Sequence, residues 1–70
     1  MTTKLSPRQT EIVILVGKDG AGWATVARRM GIAYGTVISY ARTIQLKTGT
    51  LDKKPRDAMA EVYWTRVHRF

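Results

Sequence analysis

Proline and glycine divide this chain into four short segments, and in each segment the apolar residues have the spacing of an amphipathic helix. Pro7 and Pro55 stand where helices begin, since a missing backbone N–H costs nothing at the first helical position. Glycines follow the first three segments: a cluster over 17–22 follows the first, Gly31 the second and Gly49 the third. The predicted fold is all-α, a compact four-helix domain. The predicted helices span about 7–18, 23–30, 34–47 and 55–68.

The start of the first helix has the clearest local signal. Ser6 is a good N-cap, and Gln9 follows three residues later, as a capping box requires. The apolar run 12–16 would also fit a short buried strand. The capping residues in front of it favour a helix.

The second and third predicted helices are joined by a short turn over 31–33. Trp23, Val26, Ala27 and Met30 share one face of the second helix, and Val37, Tyr40, Ala41 and Ile44 form the apolar stripe of the third. Two short helices joined in this way are typical of a helix-turn-helix, in which the second helix projects into a DNA groove. The sequence therefore predicts a helix-turn-helix within the four-helix domain.

The length and composition of the chain limit the kinds of domain and site that it can form. A chain of 70 residues has room for one domain, and we expect it to be free-standing, without a sensor domain. It contains no cysteine, which fits a reducing cytoplasm, and His68 is its only histidine. We therefore expect no metal site and no cofactor. No apolar stretch is long enough for a membrane span, and the first residues lack the apolar core of a signal peptide.

The charge favours an anionic partner. The formal net charge is +7, and residues 20–51 contain no Asp or Glu. Lysine and arginine contacts to phosphates supply most non-specific affinity for DNA. The alternative interpretation is a basic surface that only keeps the chain in solution.

Five short motifs resemble the LuxR/GerE-type regulators. Residues 5–12 (LSPRQTEI) resemble the family's opening LTPREREV, and residues 26–32 (VARRMGI) resemble its IARRLGI. The GTV of residues 35–37 matches the start of the family's recognition helix. Further matches are Ile44, Lys47 and Gly49, which fit the pattern I..KLG, and residues 56–58, which are similar to R.EA.

This resemblance implies a DNA-binding transcriptional regulator whose third helix enters the major groove and whose fourth helix dimerises. By position, it implies that Thr36 contacts a phosphate, Val37 touches base or sugar edges, and Lys47 reaches the DNA backbone. It also implies that Glu11 holds the first helix against the recognition unit by a charge pair.

The residues themselves add further candidates for contact with double-stranded DNA. Ser39, Arg42 and Thr43 lie opposite the apolar stripe of the third helix, and Arg42 is the best candidate for a base or phosphate contact. An ordinary solvated helix face is the alternative. The predicted additional phosphate contacts are Arg28, Lys53 and Lys54.

The fourth helix is rich in large apolar side chains. One short terminal helix should need fewer large apolar side chains to complete a small core than the four present here, Met59, Val62, Tyr63 and Trp64. Trp and Tyr are also typical interface anchors. We therefore expect these residues to form the interface of a homodimer. Packing into the chain's own core is the alternative.

Two departures from the family pattern support a second hypothesis. Ala24 and Ile38 stand where the family usually has lysines that grip DNA. The alternative function is therefore a small antagonist that pairs with a full-length LuxR-type regulator and blocks its DNA binding. A membrane-surface helix is a third hypothesis, with the fourth helix as a modest candidate.

We expect no enzymatic activity and predict no catalytic residue. Asp57 and Glu61 lie one helical turn apart, but no nucleophile or metal set accompanies them in the sequence. At the start of the fourth helix, Asp57 more simply complements the helix dipole.

Overall fold

The computed structural model describes residues 4–68, and within that range the chain is all-α, with four α-helices and no strand. Two of the helices continue into a π-helical segment, Ile14–Lys18 after the first and Tyr63–Val67 after the fourth. None of the helices in this range is long and apolar enough to cross a membrane. The four helices are α1 (Pro7–Val13), α2 (Trp23–Met30), α3 (Tyr34–Thr48) and α4 (Pro55–Val62).

The predicted capping box opens α1. The Ser6 hydroxyl accepts a hydrogen bond from the Gln9 backbone N–H at 3.2 Å, and the Gln9 side-chain oxygen accepts one from the Ser6 backbone N–H at 2.9 Å. Pro7 occupies the first turn. The cap therefore satisfies two backbone donors, and the apolar run that follows is helical, as predicted.

Left-handed glycines end α2 and α3. Gly31 has a φ of 67° and Gly49 a φ of 71°, a region that other residues rarely adopt. After Gly31 the chain returns to extended backbone at Ala33, with φ −69° and ψ 149°, and α3 begins at the next residue. The predicted turn over 31–33 is confirmed.

The predicted first helix, about 7–18, is confirmed, but Gly17, the first glycine of the cluster expected to turn the chain, is part of that helix. Gly17 lies inside the π-helical segment Ile14–Lys18, and the chain leaves the helix only at Asp19 and Gly20. The reason is a close contact with the fourth helix. A Cβ atom built on Gly17 would overlap the Met59 carbonyl oxygen and lie 2.9 Å from the Tyr63 Cβ. A glycine here lets two helical backbones approach, rather than turning the chain.

One hydrophobic core joins all four helices. The largest fully buried side chains come from α1, α2, α3 and α4 alike, and Tyr63 of the second π-helical segment packs with them. Because each helix packs one face into this core, its opposite face is turned to solvent. These largest fully buried side chains are Ile12, Val13, Val26, Val37, Ile44, Met59 and Val62.

Candidate nucleic-acid interface

The outward face of α3 contains four of the predicted DNA contacts. Thr36, Ser39, Arg42 and Thr43 are all exposed, while Val37, Ala41 and Ile44 of the same helix are buried. The Thr43 hydroxyl donates to the Ser39 carbonyl oxygen at 3.1 Å. The hydroxyls on this face can donate or accept hydrogen bonds, and the guanidinium can donate them. Phosphate oxygens and base edges offer matching partners.

The prediction for Val37 is wrong, because this side chain is fully buried in the core. It lies on the inward face of α3 with Ala41 and Ile44, the stripe that the helical spacing itself predicted. A base contact by Val37 would require the core to open. The next two residues, Ile38 and Ser39, are exposed instead.

Large apolar side chains are also exposed on α3. Tyr34 is 54% exposed, Ile38 41% and Leu46 60%. Arg42 lies between Ile38 and Leu46, and the four residues follow one another at intervals of four positions. The helix thus presents a mixed apolar and cationic row to solvent.

The N-terminus of α3 has no side-chain cap. Ala33 precedes it, and its methyl group accepts no hydrogen bond from the first-turn amides. The Thr36 and Val37 amides donate to the Ala33 carbonyl oxygen at 3.0 and 3.2 Å. The N–H groups of Tyr34 and Gly35 come before the first of these bonds and have no acceptor within the helix. First-turn donors of this kind bind water or an anion such as a phosphate.

The predicted phosphate contacts differ in their surroundings. Arg28 is exposed in the last turn of α2, and Lys54 is exposed immediately before α4. Lys53 is paired instead, since its ammonium lies 3.2 Å from a Glu61 carboxylate oxygen. The hydrogen bond and the negative charge of Glu61 raise the pKa of Lys53. An incoming phosphate would compete with Glu61 for this lysine.

Lys47 links α3 to the start of α1. Its ammonium donates to the Gln9 side-chain oxygen at 3.0 Å and lies 3.5 Å from the Lys4 carbonyl oxygen. The predicted charge pair of Glu11 is absent: Glu11 is exposed and forms no ion pair within residues 4–68. The polar link that the resemblance assigned to Glu11 is thus made by Lys47 and Gln9.

Two further side chains, Gln45 and Arg56, hold loops in place through hydrogen bonds to backbone carbonyls, and no local sequence pattern predicts either. The buried Gln45 amide donates to the carbonyl oxygens of Thr50 and Lys53, at 3.0 and 2.9 Å. Arg56 donates to the Gly20 carbonyl oxygen at 3.1 Å. Gln45 therefore holds the basic loop 50–54 against the C-terminal half of α3.

The predicted dimer interface is wrong for three of its four residues. Met59, Val62 and Tyr63 are buried in the core of the single chain, where their exposed fractions are 0%, 1% and 7%. A domain this small needs them to cover Gly17 and the inner face of α1. Trp64 is 59% exposed, with its ring edge-to-face on Tyr63 at a centroid distance of 5.1 Å.

No protein-family model, curated protein or solved structure matches this chain. The similarity to LuxR/GerE-type regulators therefore rests on the five short motifs.

Proposed function

We propose that this protein is a DNA-binding transcriptional regulator in which α2, the turn after it and α3 act as a helix-turn-helix that inserts α3 into the major groove. The observation that best supports the proposal is the outward face of α3. Thr36, Ser39, Arg42 and Thr43 are exposed there, on a helix whose opposite side is fixed in the core.

Charge supports the same proposal. The net charge of +7 and the absence of acidic residues over 20–51 favour attraction to phosphates, and Arg28 and Lys54 are exposed on the elements before and after α3. In this arrangement the exposed cations contact the DNA backbone and position the domain, while α3 contacts base edges. The uncapped start of α3 offers amide donors to one further phosphate.

The test compares two single-charge variants of the full chain. Arg42→Ala removes the exposed guanidinium of α3, and Lys18→Ala removes an exposed cation from the π-helical segment that packs mainly on α4. Affinity is measured by fluorescence anisotropy for a duplex that the wild-type chain selects from a random-sequence pool, with circular dichroism to verify folding.

We expect Arg42→Ala to lose about 1 kcal/mol or more of binding free energy, about fivefold in affinity, and Lys18→Ala to lose less. Equal losses in the two variants would mean that net charge alone attracts the DNA. No loss in Arg42→Ala would exclude α3 as the helix that contacts DNA.

As a second candidate function, this chain would act as a small antagonist that pairs with a full-length LuxR-type regulator and blocks its DNA binding. The observation that favours it is the exposed indole of Trp64, because a largely exposed tryptophan is a typical interface anchor. Light scattering of the wild type and Trp64→Ala tests whether two copies of this chain pair through this residue, a simpler case of the same surface. A dimer that becomes a monomer on substitution would support a pairing surface at Trp64, and equal monomer masses would argue against self-pairing there.

A further inference from the structure

The exposed row on α3 has an unusual composition for a surface that contacts DNA. Tyr34, Ile38, Arg42 and Leu46 are spaced four residues apart, so consecutive members are neighbours along the helix. Three of the four are large apolar side chains, between 41% and 60% exposed. Single exposed apolar residues need no explanation, but three in one row indicate a surface with an apolar partner.

The major groove offers one apolar group at the base edges, the 5-methyl group of thymine. Its other exposed groups are hydrogen-bond donors and acceptors, which lose water without compensation when an aliphatic side chain covers them. An arginine within the row finds its best partner in guanine, whose O6 and N7 accept two hydrogen bonds from one guanidinium. The row therefore fits bases that present a methyl group to its aliphatic side chains and the two acceptors of guanine to its arginine.

We infer that Ile38 and Leu46 contact thymine methyl groups on the two sides of a guanine that is bound by Arg42. This inference rests on the proposed DNA-binding function and specifies what α3 recognises. It gives the exposed isoleucine a role in selectivity: Ile38 favours thymine and disfavours base pairs that would leave a polar edge covered by its side chain.

The helix geometry sets the spacing of the pattern. Four residues of α-helix advance about 6 Å along the axis. Base pairs follow one another about 3.4 Å apart, so neighbouring members of the row lie about two base pairs apart along the groove. The expected target contains a guanine with a thymine about two base pairs away on each side, on either strand.

The test begins with selection of bound duplexes from a random-sequence pool by the full-length chain. Each thymine of the selected site is then replaced by uracil, which differs only in lacking the 5-methyl group. We expect a loss of about fourfold in affinity at the thymine next to Ile38, the factor that corresponds to about 0.8 kcal/mol for one buried apolar carbon group.

Two variants distinguish a direct methyl contact from a general effect of uracil on the duplex. Ile38→Ala should bind the thymine and uracil duplexes equally well. Leu51→Ala removes a similarly exposed apolar side chain, 51% exposed in the loop after α3, and should retain the fourfold preference. Both side chains are exposed, so neither truncation opens the core.

The outcomes separate this inference from the function on which it rests. A selected site that binds equally well with thymine and uracil would overturn the methyl contact and leave DNA binding by α3 intact. A preference for thymine that persists in Ile38→Ala would overturn the role of Ile38. Failure to select any duplex, with no binding at low salt, would overturn the proposed function together with the inference.

Discussion

Gly17→Ala should destabilise the protein by about 2 kcal/mol, although helix propensity alone predicts the opposite. Alanine is favoured over glycine inside a helix by about 1 kcal/mol. In the structure, however, the new Cβ would overlap the Met59 carbonyl oxygen and lie 2.9 Å from the Tyr63 Cβ. The contact is with a backbone and a Cβ, and neither can rotate away.

The magnitude follows from the distance that the two helical segments must separate. Carbon atoms pack best at about 3.5–4.0 Å, so α4 and the first π-helical segment must move apart by roughly 0.6–1 Å. Overpacking of a core costs about 1–3 kcal/mol, and a clash with backbone belongs at the upper end of that range. After subtraction of the gain in helix propensity, about 2 kcal/mol remains.

Thermal unfolding followed by circular dichroism measures the effect. For a domain of 70 residues, each kcal/mol shifts Tm by about 4–8 °C, so we expect Gly17→Ala to melt about 8–16 °C lower. Gly35→Ala is the matched control, because no atom lies within 4 Å of the Cβ it would add to α3. It should stabilise the chain by about 0.5–1 kcal/mol. A Gly17→Ala variant as stable as the wild type would refute the close approach of the two segments.

Two substitutions test the polar contacts. Lys47→Met removes the hydrogen bond to Gln9 and should lower the free energy of unfolding by about 1 kcal/mol in urea titrations; an unchanged midpoint would contradict the link between α1 and α3. Glu61→Gln removes the carboxylate that pairs with Lys53 and should raise affinity for duplex DNA by up to about fivefold, the upper end of the range expected from an exposed ion pair. Asp19→Asn removes an equal charge from the first turn as a control, and an equal gain there would show that only net charge matters.

Local signals in the sequence predicted the helices well. Ser6 and Gln9 form the expected capping box, and Gly31 and Gly49 are left-handed where a helix was expected to end. Each of these features depends on residues within one helical turn, so a short stretch of sequence contains all the information. Gly17 is the exception, because its role depends on Met59 of α4, which is 42 residues away along the chain (59 − 17).

The candidate site was only partly predictable. Helical spacing placed Val37 in the apolar stripe, and it is buried; the resemblance placed the same residue on DNA, and its burial excludes that contact. For Met59 and Tyr63, the number of apolar residues suggested a surplus, yet a domain this small uses them in its core. The contact of Lys47 with Gln9 joins positions 38 residues apart, and no local pattern indicates it.

The central claim is that this basic domain binds DNA through α3 and the cations around it. The most direct measurement is the affinity of the wild-type chain for a random-sequence duplex at about 50 and about 200 mM salt, because log affinity falls by about 0.9 per phosphate contact for each tenfold rise in salt. With the exposed cations Arg28 and Lys54 as phosphate contacts, we expect a loss of about tenfold or more over this range. Absence of binding at the lower salt, or an affinity equal at both, would contradict it.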